Sequence, residues 1–207
     1  MSGIQESRPG GVQSHTHTGR LAGSFLSKLD EQVSLLAGIV RQLPEGQTHF
    51  TPELPPETFP QPKCLGAVLG HLLQCLAGFV AVLHAAHPQR LAHLLELKHR
   101  PVNHVCERDE ALARIQEYRD SIRAGFQLLG DDDLARALPT VFAPEGEAVL
   151  TLLLGNFEHL VNHKHELFFY ARLLGLPLTS RDLYRFRDLP AAAVAADGGR
   201  PPQGVAE

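Results

Sequence analysis

The chain has 207 residues, 43% of them apolar and 20% charged, which is enough for one packed domain and too few for two of ordinary size. Lysine and arginine number 19 against 23 acidic residues, so the net charge of −4 argues against general nucleic-acid binding. Three unevenly spaced cysteines do not form a disulfide framework, and we expect a cytoplasmic protein.

The two ends of the chain differ in composition from the rest. Residues 1–20 are rich in glycine, serine and threonine, and residues 188–207 are rich in alanine, glycine and proline. Neither segment has a periodic apolar pattern, so we expect both to be disordered. The N-terminal segment also lacks the apolar stretch of a secretory signal. Residues 21–187 are therefore the expected folded domain.

The first half of this domain predicts two long helices. Apolar residues recur at helical spacing over 21–43, and proline and glycine follow at Pro44 and Gly46. Five prolines between positions 52 and 62 exclude a regular helix or a central strand, so we expect an extended crossover there. The second helix is expected over 64–87. It carries no formal charge, but its histidines, glutamine and glycines favour a buried bundle helix over a membrane span.

The second half predicts two more long helices. Residues 89–106 allow one or two helical turns before Pro101. The third helix is expected over 107–129, with Gly130 as its C-terminal glycine. We interpret the three aspartates at 131–133 as a turn, because negative charge is unfavourable after a helix C-terminus.

The fourth helix is expected over 145–174, and Gly175 and Pro177 end it. No segment shows the two-residue period of a strand, so the fold class is all-α, an up-and-down four-helix bundle.

The fourth helix has a second apolar stripe that the bundle core does not bury, and burial of this stripe against a second copy of the chain predicts a homodimer. The residues of this second stripe are Leu150, Leu154, Phe157, Val161 and Phe168. Glycines at 66, 70, 78 and 155 are expected to allow close approach of helices.

Histidines are the most informative residues, since the chain has 12 of them. In the run HLVNHKHE, His159 and His163 are four residues apart and lie on one helix face, about 5–6 Å apart at their β carbons. That spacing suits two nitrogens on one divalent metal ion, although two surface histidines would show it as well. Glu166 lies on the same face and could be a ligand, an outer hydrogen-bond acceptor or a general base. His165 points roughly the opposite way.

A third ligand must come from another helix, and His71 in the run VLGHLLQC is the candidate. By itself, a histidine in an apolar helix is also typical of a hydrogen-bonded core residue. Cys75, one turn later, is either a soft extra ligand or a small buried apolar residue. The histidines at 84, 87, 93, 99 and 104 are interpreted as solvated residues of loops and helix ends.

Taken in order, the segments LGHLLQCLAGF, ARIQEYRDSIRAGFQLLGDDDL and HLVNHKHELFFYARLLGLP resemble the DinB/YfiT-like superfamily of bacterial proteins. The resemblance covers about residues 20–187. It implies a four-helix bundle in which His71, His159 and His163 hold a divalent metal ion. The positions matching the end of the last family motif are Tyr170, Arg172 and Gly175. The chain departs from the family at Lys164-His165-Glu166, where many relatives have Arg-Gly-Gln, and at Cys75, where an acidic residue is common.

Zinc and nickel are the ions that suit such imidazole ligands. Characterised members of the superfamily include S-transferases that use mycothiol or bacillithiol, thiol-dependent isomerases and metal-dependent hydrolases. The resemblance therefore implies a metal-dependent enzyme, and we predict S-transferase chemistry on a small electrophile with a low-molecular-weight thiol as co-substrate. The alternatives are a hydrolase that uses a metal-bound water, with Glu166 moving protons, and a metal-binding bundle without catalytic activity. No nucleic-acid or membrane partner is expected.

Overall fold

The structure is a computed structural model that describes residues 19–53, 55, 57, 61–140 and 143–185. The predicted disordered segments lie almost entirely outside these residues. Arg20, which was assigned to the N-terminal segment, is the first residue of a helix.

Long helices dominate the described part of the chain, and the prediction of an all-α four-helix bundle is confirmed. The helices are α1 (Arg20–Gln42), α2 (Leu65–Ala86), α3 (Leu94–His99), α4 (Arg108–Phe126), α5 (Asp131–Ala135), α6 (Val149–Leu173) and α7 (Ser180–Leu183). The four bundle helices are α1, α2, α4 and α6. The short α3 lies where one or two turns were predicted and ends before Pro101.

Helix α2 forms the centre of the core. It packs against α4 and α6, and α1 packs against the same two helices, so α1 and α2 occupy opposite corners of the bundle. The proline-containing connection between residues 43 and 64 covers the distance between those corners. By length and hydropathy α2 could cross a membrane, but 67% of its most apolar window is buried inside the protein. This burial is what a core helix requires, as predicted.

The connection between α4 and α6 corrects two of the sequence predictions. Helix α4 ends at Phe126, and Gly130 has φ −89°, so this glycine is the residue before α5 and not a left-handed helix end. The three aspartates do not form a turn either, because they make up the first turn of α5, where negative charge is favourable. Asp131 Oδ1 also accepts hydrogen bonds from the backbone nitrogens of Leu21 and Ala22, at 3.0 and 3.3 Å. This carboxylate therefore caps α1 across 110 residues of sequence.

A two-stranded antiparallel ribbon, β1 (Ala137–Leu138) and β2 (Glu147–Ala148), precedes α6. Its strands are two residues long, which is too short to produce an alternating pattern in the sequence. Gly175 follows the C-cap of α6 with φ 83°, as expected of a glycine that ends a helix in the left-handed conformation. Gly46 has φ 72° but lies in the turn beyond α1, which ends at Gln42 with an extended Leu43.

Candidate metal centre

The structure brings together the three histidines that were predicted as metal ligands. His71 comes from α2, and His159 and His163 come from adjacent turns of α6, which packs directly on α2. Nε2 of His71 lies 3.1 Å from Nε2 of His159, and the ring centroid of His71 is 4.3 Å from that of His163. One nitrogen from each of the three rings lies within 4.8 Å of the others.

Helices α2 and α6, which carry the three histidines, pack closely on each other. A β carbon added to Gly78 of α2 would stand 2.6 Å from Oδ1 of Asn156 on α6, so a larger residue there would have to displace the Asn156 side chain. Gly78 therefore has the role predicted for it. Gly155 has no atom within 4 Å of the position its β carbon would take, so the prediction of a close contact there is wrong.

Two of the histidines have hydrogen-bond partners that fix their rings. Nδ1 of His163 lies 2.6 Å from Oε2 of Glu166, and Nδ1 of His71 lies 2.8 Å from Oδ1 of Asn103. A carboxylate only accepts hydrogen bonds, so Nδ1 of His163 is the donor and its Nε2 is left with a free lone pair. Glu166 thus occupies the position of an outer hydrogen-bond acceptor, one of the three roles its spacing allowed.

The surroundings favour a neutral His159 and an ionised Glu166. Burial lowers the pKa of His159, and the nearby His163 and His71 lower it further. The hydrogen bond from His163 lowers the pKa of Glu166. Neutral imidazole is the form in which histidine binds metal ions.

The donor set fits a divalent ion such as zinc or nickel. Imidazole nitrogens at about 2.0–2.1 Å from a tetrahedral ion are about 3.3 Å apart, close to the separation of His71 and His159. No fourth histidine, cysteine, aspartate or glutamate of the described residues joins the group within 4.8 Å. Three protein ligands leave a coordination position for a small molecule.

Cys75 is not a member of this group. Its side chain is buried in the core, and burial raises the pKa of the thiol to about 12. The thiol therefore stays protonated at neutral pH, which agrees with the interpretation of Cys75 as a small buried apolar residue.

The two residues between His163 and Glu166 point away from the centre. Lys164 is fully buried, where it donates hydrogen bonds to the side chain of Gln32 and, at 2.7 Å, to the carbonyl of Leu183. Burial lowers its pKa to about 8. His165 lies 2.8 Å from the carbonyl of Val161 through Nδ1. Lys164 and His165 therefore contact the segment around α7, through the carbonyl of Leu183 and the hydroxyl of Tyr184.

The residues matching the end of the last family motif are also structural here. Tyr170 donates a hydrogen bond of 2.7 Å to the carbonyl of Lys63, just before α2, and packs edge-on against Phe50. Arg172 donates to the carbonyl of Leu178 at 2.6 Å. These contacts attach α6 to the segment before α2 and to the segment that follows α6.

Sequence reasoning missed Asn103 and gave His104 too small a role. His104 was interpreted as solvated, but its Nε2 lies 2.8 Å from Oε1 of Glu110, and with Cys106 these side chains form a second close group. Nη1 of Arg114 lies 3.5 Å from the same carboxylate oxygen, and burial raises the pKa of the Cys106 thiol to about 12. A guanidinium and a protonated thiol on one carboxylate make a hydrogen-bonded ion-pair cluster.

Comparison with known proteins supports the fold. No protein-family model matches the chain, and no curated protein matches it. Among solved structures, the crystal structure of a DinB-like protein, YjoA, from Bacillus subtilis matches with a TM-score of 0.56 and 18% sequence identity. The match covers 75% of this chain and 96% of that one. At this identity the similarity establishes the architecture, and the chain has the DinB-like fold.

Proposed function

We propose that the protein binds a divalent metal ion, zinc or nickel, through His71, His159 and His163, and that it transfers a low-molecular-weight thiol to a small electrophile. The convergence of three imidazole nitrogens within 4.8 Å is the observation on which the proposal rests. When bound, the ion would supply a coordination position for the thiol sulfur and lower the pKa of that thiol.

The reaction is a substitution. The sulfur lone pair forms a bond to an electrophilic carbon, the leaving group departs with the pair of electrons of the broken bond, and the thiol proton is released to solvent or to the leaving group. The protein residues bind and orient the reactants. His71 and His163 keep their rings fixed through Asn103 and Glu166, and burial of His159 lowers its pKa and so favours its neutral form.

The position of Glu166 favours thiol transfer over hydrolysis. In the hydrolase alternative, Glu166 is the group that would move protons to and from the attacking water. Oε2 of Glu166 instead lies 2.6 Å from Nδ1 of His163, where it accepts a hydrogen bond from that ring. A thiol with a lowered pKa is already the nucleophile and needs no such base.

The test is a panel of low-molecular-weight thiols, including bacillithiol, mycothiol, glutathione and cysteine, each mixed with an aryl halide electrophile and the zinc- or nickel-loaded protein. Formation of the S-conjugate is followed by mass spectrometry. His159→Ala removes a proposed ligand. His165→Ala is the matched control, because this ring lies on the same helix and contacts Val161 and Tyr184.

We expect conjugate from the wild type and from His165→Ala, and at most background from His159→Ala. If the protein instead hydrolyses ester substrates without thiol, and His159→Ala loses this activity, the hydrolase alternative would replace this proposal. Stoichiometric metal without either activity would leave a metal-binding bundle that is not catalytic.

A further inference from the structure

We propose that Asn103 is a positioning residue of the metal centre, which orients the His71 ring so that Nε2 faces His159 and His163. The metal part of this inference rests on the proposed function. The orientation part concerns the ring itself, and it is tested on metal-free protein. We call residues 101–106, which carry Asn103 between α3 and α4, the strap.

Asn103 is held by two hydrogen bonds to consecutive residues of α2. Its backbone nitrogen donates to the carbonyl of Gly70 at 3.1 Å, and its Oδ1 lies 2.8 Å from Nδ1 of His71. Asn103 has φ 62° and is the one non-glycine residue of the described chain in the left-handed region. Asparagine adopts this conformation more readily than most residues, and the conformation directs its short amide at the neighbouring ring.

Glycines on α2 let the strap approach this closely. A β carbon on Gly70 would stand 2.0 Å from the carbonyl oxygen of His104, and one on Gly66 would stand 2.7 Å from Cγ1 of Val105. The backbone nitrogen of Cys106 donates to the carbonyl of Gly66 at 3.0 Å. The sequence predicts that these two glycines contact another helix, but the strap packs against them along one turn of α2.

The other side of the strap is tied to α4. Glu110 accepts the hydrogen bond from His104, and Arg114 donates to the carbonyl of Pro101 at 2.7 Å while it lies 3.5 Å from Glu110. The strap is therefore fixed near both of its ends, with Asn103 between them. Glu110 is therefore connected to His71 through His104 and Asn103 of the strap.

The consequence for His71 is a defined tautomer. A neutral imidazole carries one proton, and an acceptor at Nδ1 keeps that proton there. Nε2 then presents its lone pair toward Nε2 of His159, 3.1 Å away. His163 has the same arrangement through Glu166. Two ligands are thus prepared by partners from different elements, which is the usual way in which metal-binding histidines are oriented.

The first experiment measures the tautomer without metal. Nitrogen-15 NMR of the His71 ring reports which nitrogen carries the proton. We expect the Nδ1–H form in the metal-free wild type and a mixture of tautomers in Asn103→Gly. Glycine keeps the backbone conformation of residue 103 and removes only the amide. A wild-type ring protonated at Nε2, or an unchanged tautomer in Asn103→Gly, would overturn the inference.

The second experiment measures zinc affinity by competition with a chelator. We expect Asn103→Gly to bind zinc about 10–100-fold more weakly, and Asn103→Asp to restore tight binding because it keeps an acceptor oxygen. Glu110→Gln should show a smaller loss in the same direction. Val105→Ala is the control, because it changes packing of the strap without removing a hydrogen bond.

Equal zinc affinity in Asn103→Gly and the wild type, or an equal loss in Val105→Ala and Asn103→Gly, would contradict a positioning role. Failure of the wild type to bind zinc or nickel would refute the proposed function. The NMR measurement would still decide whether Asn103 orients the ring.

Discussion

Nδ1 of His163 donates to Oε2 of Glu166 over 2.6 Å, one helical turn further along α6. A carboxylate at this position holds the ring and increases the electron density at its other nitrogen. Removing it should weaken metal binding without removing a ligand. We expect Glu166→Ala to lower zinc affinity by about 10–100-fold and Glu166→Gln to lower it less, since the amide oxygen still accepts the hydrogen bond.

Zinc competition titrations test this expectation, with Glu158→Ala as the control. Glu158 is an exposed acidic residue of the same helix, immediately before His159. An equal loss in Glu158→Ala and Glu166→Ala would show that general negative charge, and not the hydrogen bond to His163, is responsible.

Gly70 and Gly155 are glycines within α2 and α6 that should respond in opposite ways to alanine. At Gly70 the added carbon meets the carbonyl oxygen of His104 at 2.0 Å, and backbone must move. We expect Gly70→Ala to lower the free energy of unfolding by about 1–3 kcal/mol. At Gly155 the carbon meets nothing within 4 Å, so Gly155→Ala should raise stability by about 0.5–1 kcal/mol. Urea denaturation of both variants measures this, and equal effects would contradict the strap contact.

Asp30 on α1 should give the protein a specific loss of stability in acid. Its carboxylate lies 2.6 Å from Nε of Arg119 and 2.7 Å from Arg123, both on α4, and Arg119 holds its pKa down at about 2 against desolvation. A lowered folded-state pKa stabilises the protein above the ordinary aspartate pKa near 4 and loses that effect as pH falls toward 2.

We expect Asp30→Asn to destabilise the protein by about 1–2 kcal/mol at pH 7, with the difference from wild type shrinking between pH 4 and pH 2. Denaturant titrations at several pH values measure this difference. Asp120→Asn is the control, because its ion pair with Arg123 is long, at 3.9 Å, and largely exposed. A difference that stays constant down to pH 2 would contradict this account.

The homodimer stays a prediction, and the exposed part of α6 is where it should be tested. Phe157 of the predicted second stripe packs against the ring of Phe25, so that part of the stripe is covered within the chain. Leu154 is 46% exposed, and Phe169 and Leu173 are 63% and 62% exposed. We expect a dimer by light scattering at micromolar concentration and a monomer after Phe169→Glu. A monomeric wild type would refute the prediction.

The long helices and the spacing of the site histidines could be predicted because both follow a local period. Apolar residues mark α1, α2, α4 and α6, and the four-residue step from His159 to His163 places both rings on one face. His71 is a candidate third ligand from its own helix, but only the family resemblance favours it over a core histidine, since no local rule connects residues so far apart. The structure supports the pairing of His71 with the other two histidines through direct contact of α2 and α6.

The features that escaped prediction depend on contacts distant in sequence. Asn103 lies in a segment without periodicity, and only the fold brings it to His71, 32 residues earlier. Asp131 caps the N-terminus of α1 from 110 residues away, so its negative charge is favourable there and not unfavourable as the sequence suggested. Lys164 is buried because Gln32 and the carbonyl of Leu183 satisfy it, and a charged residue in a sequence pattern is normally assigned to the surface.

The most direct test is metal analysis of the purified protein and of four single histidine variants. After loading with zinc or nickel and removal of excess ion, the wild type and His165→Ala should each retain about one ion per chain, the stoichiometry of a single site with three histidine ligands. His71→Ala, His159→Ala and His163→Ala should each retain little or none. Full retention by any of these three variants, or a wild type without bound metal, would contradict a centre formed by these residues.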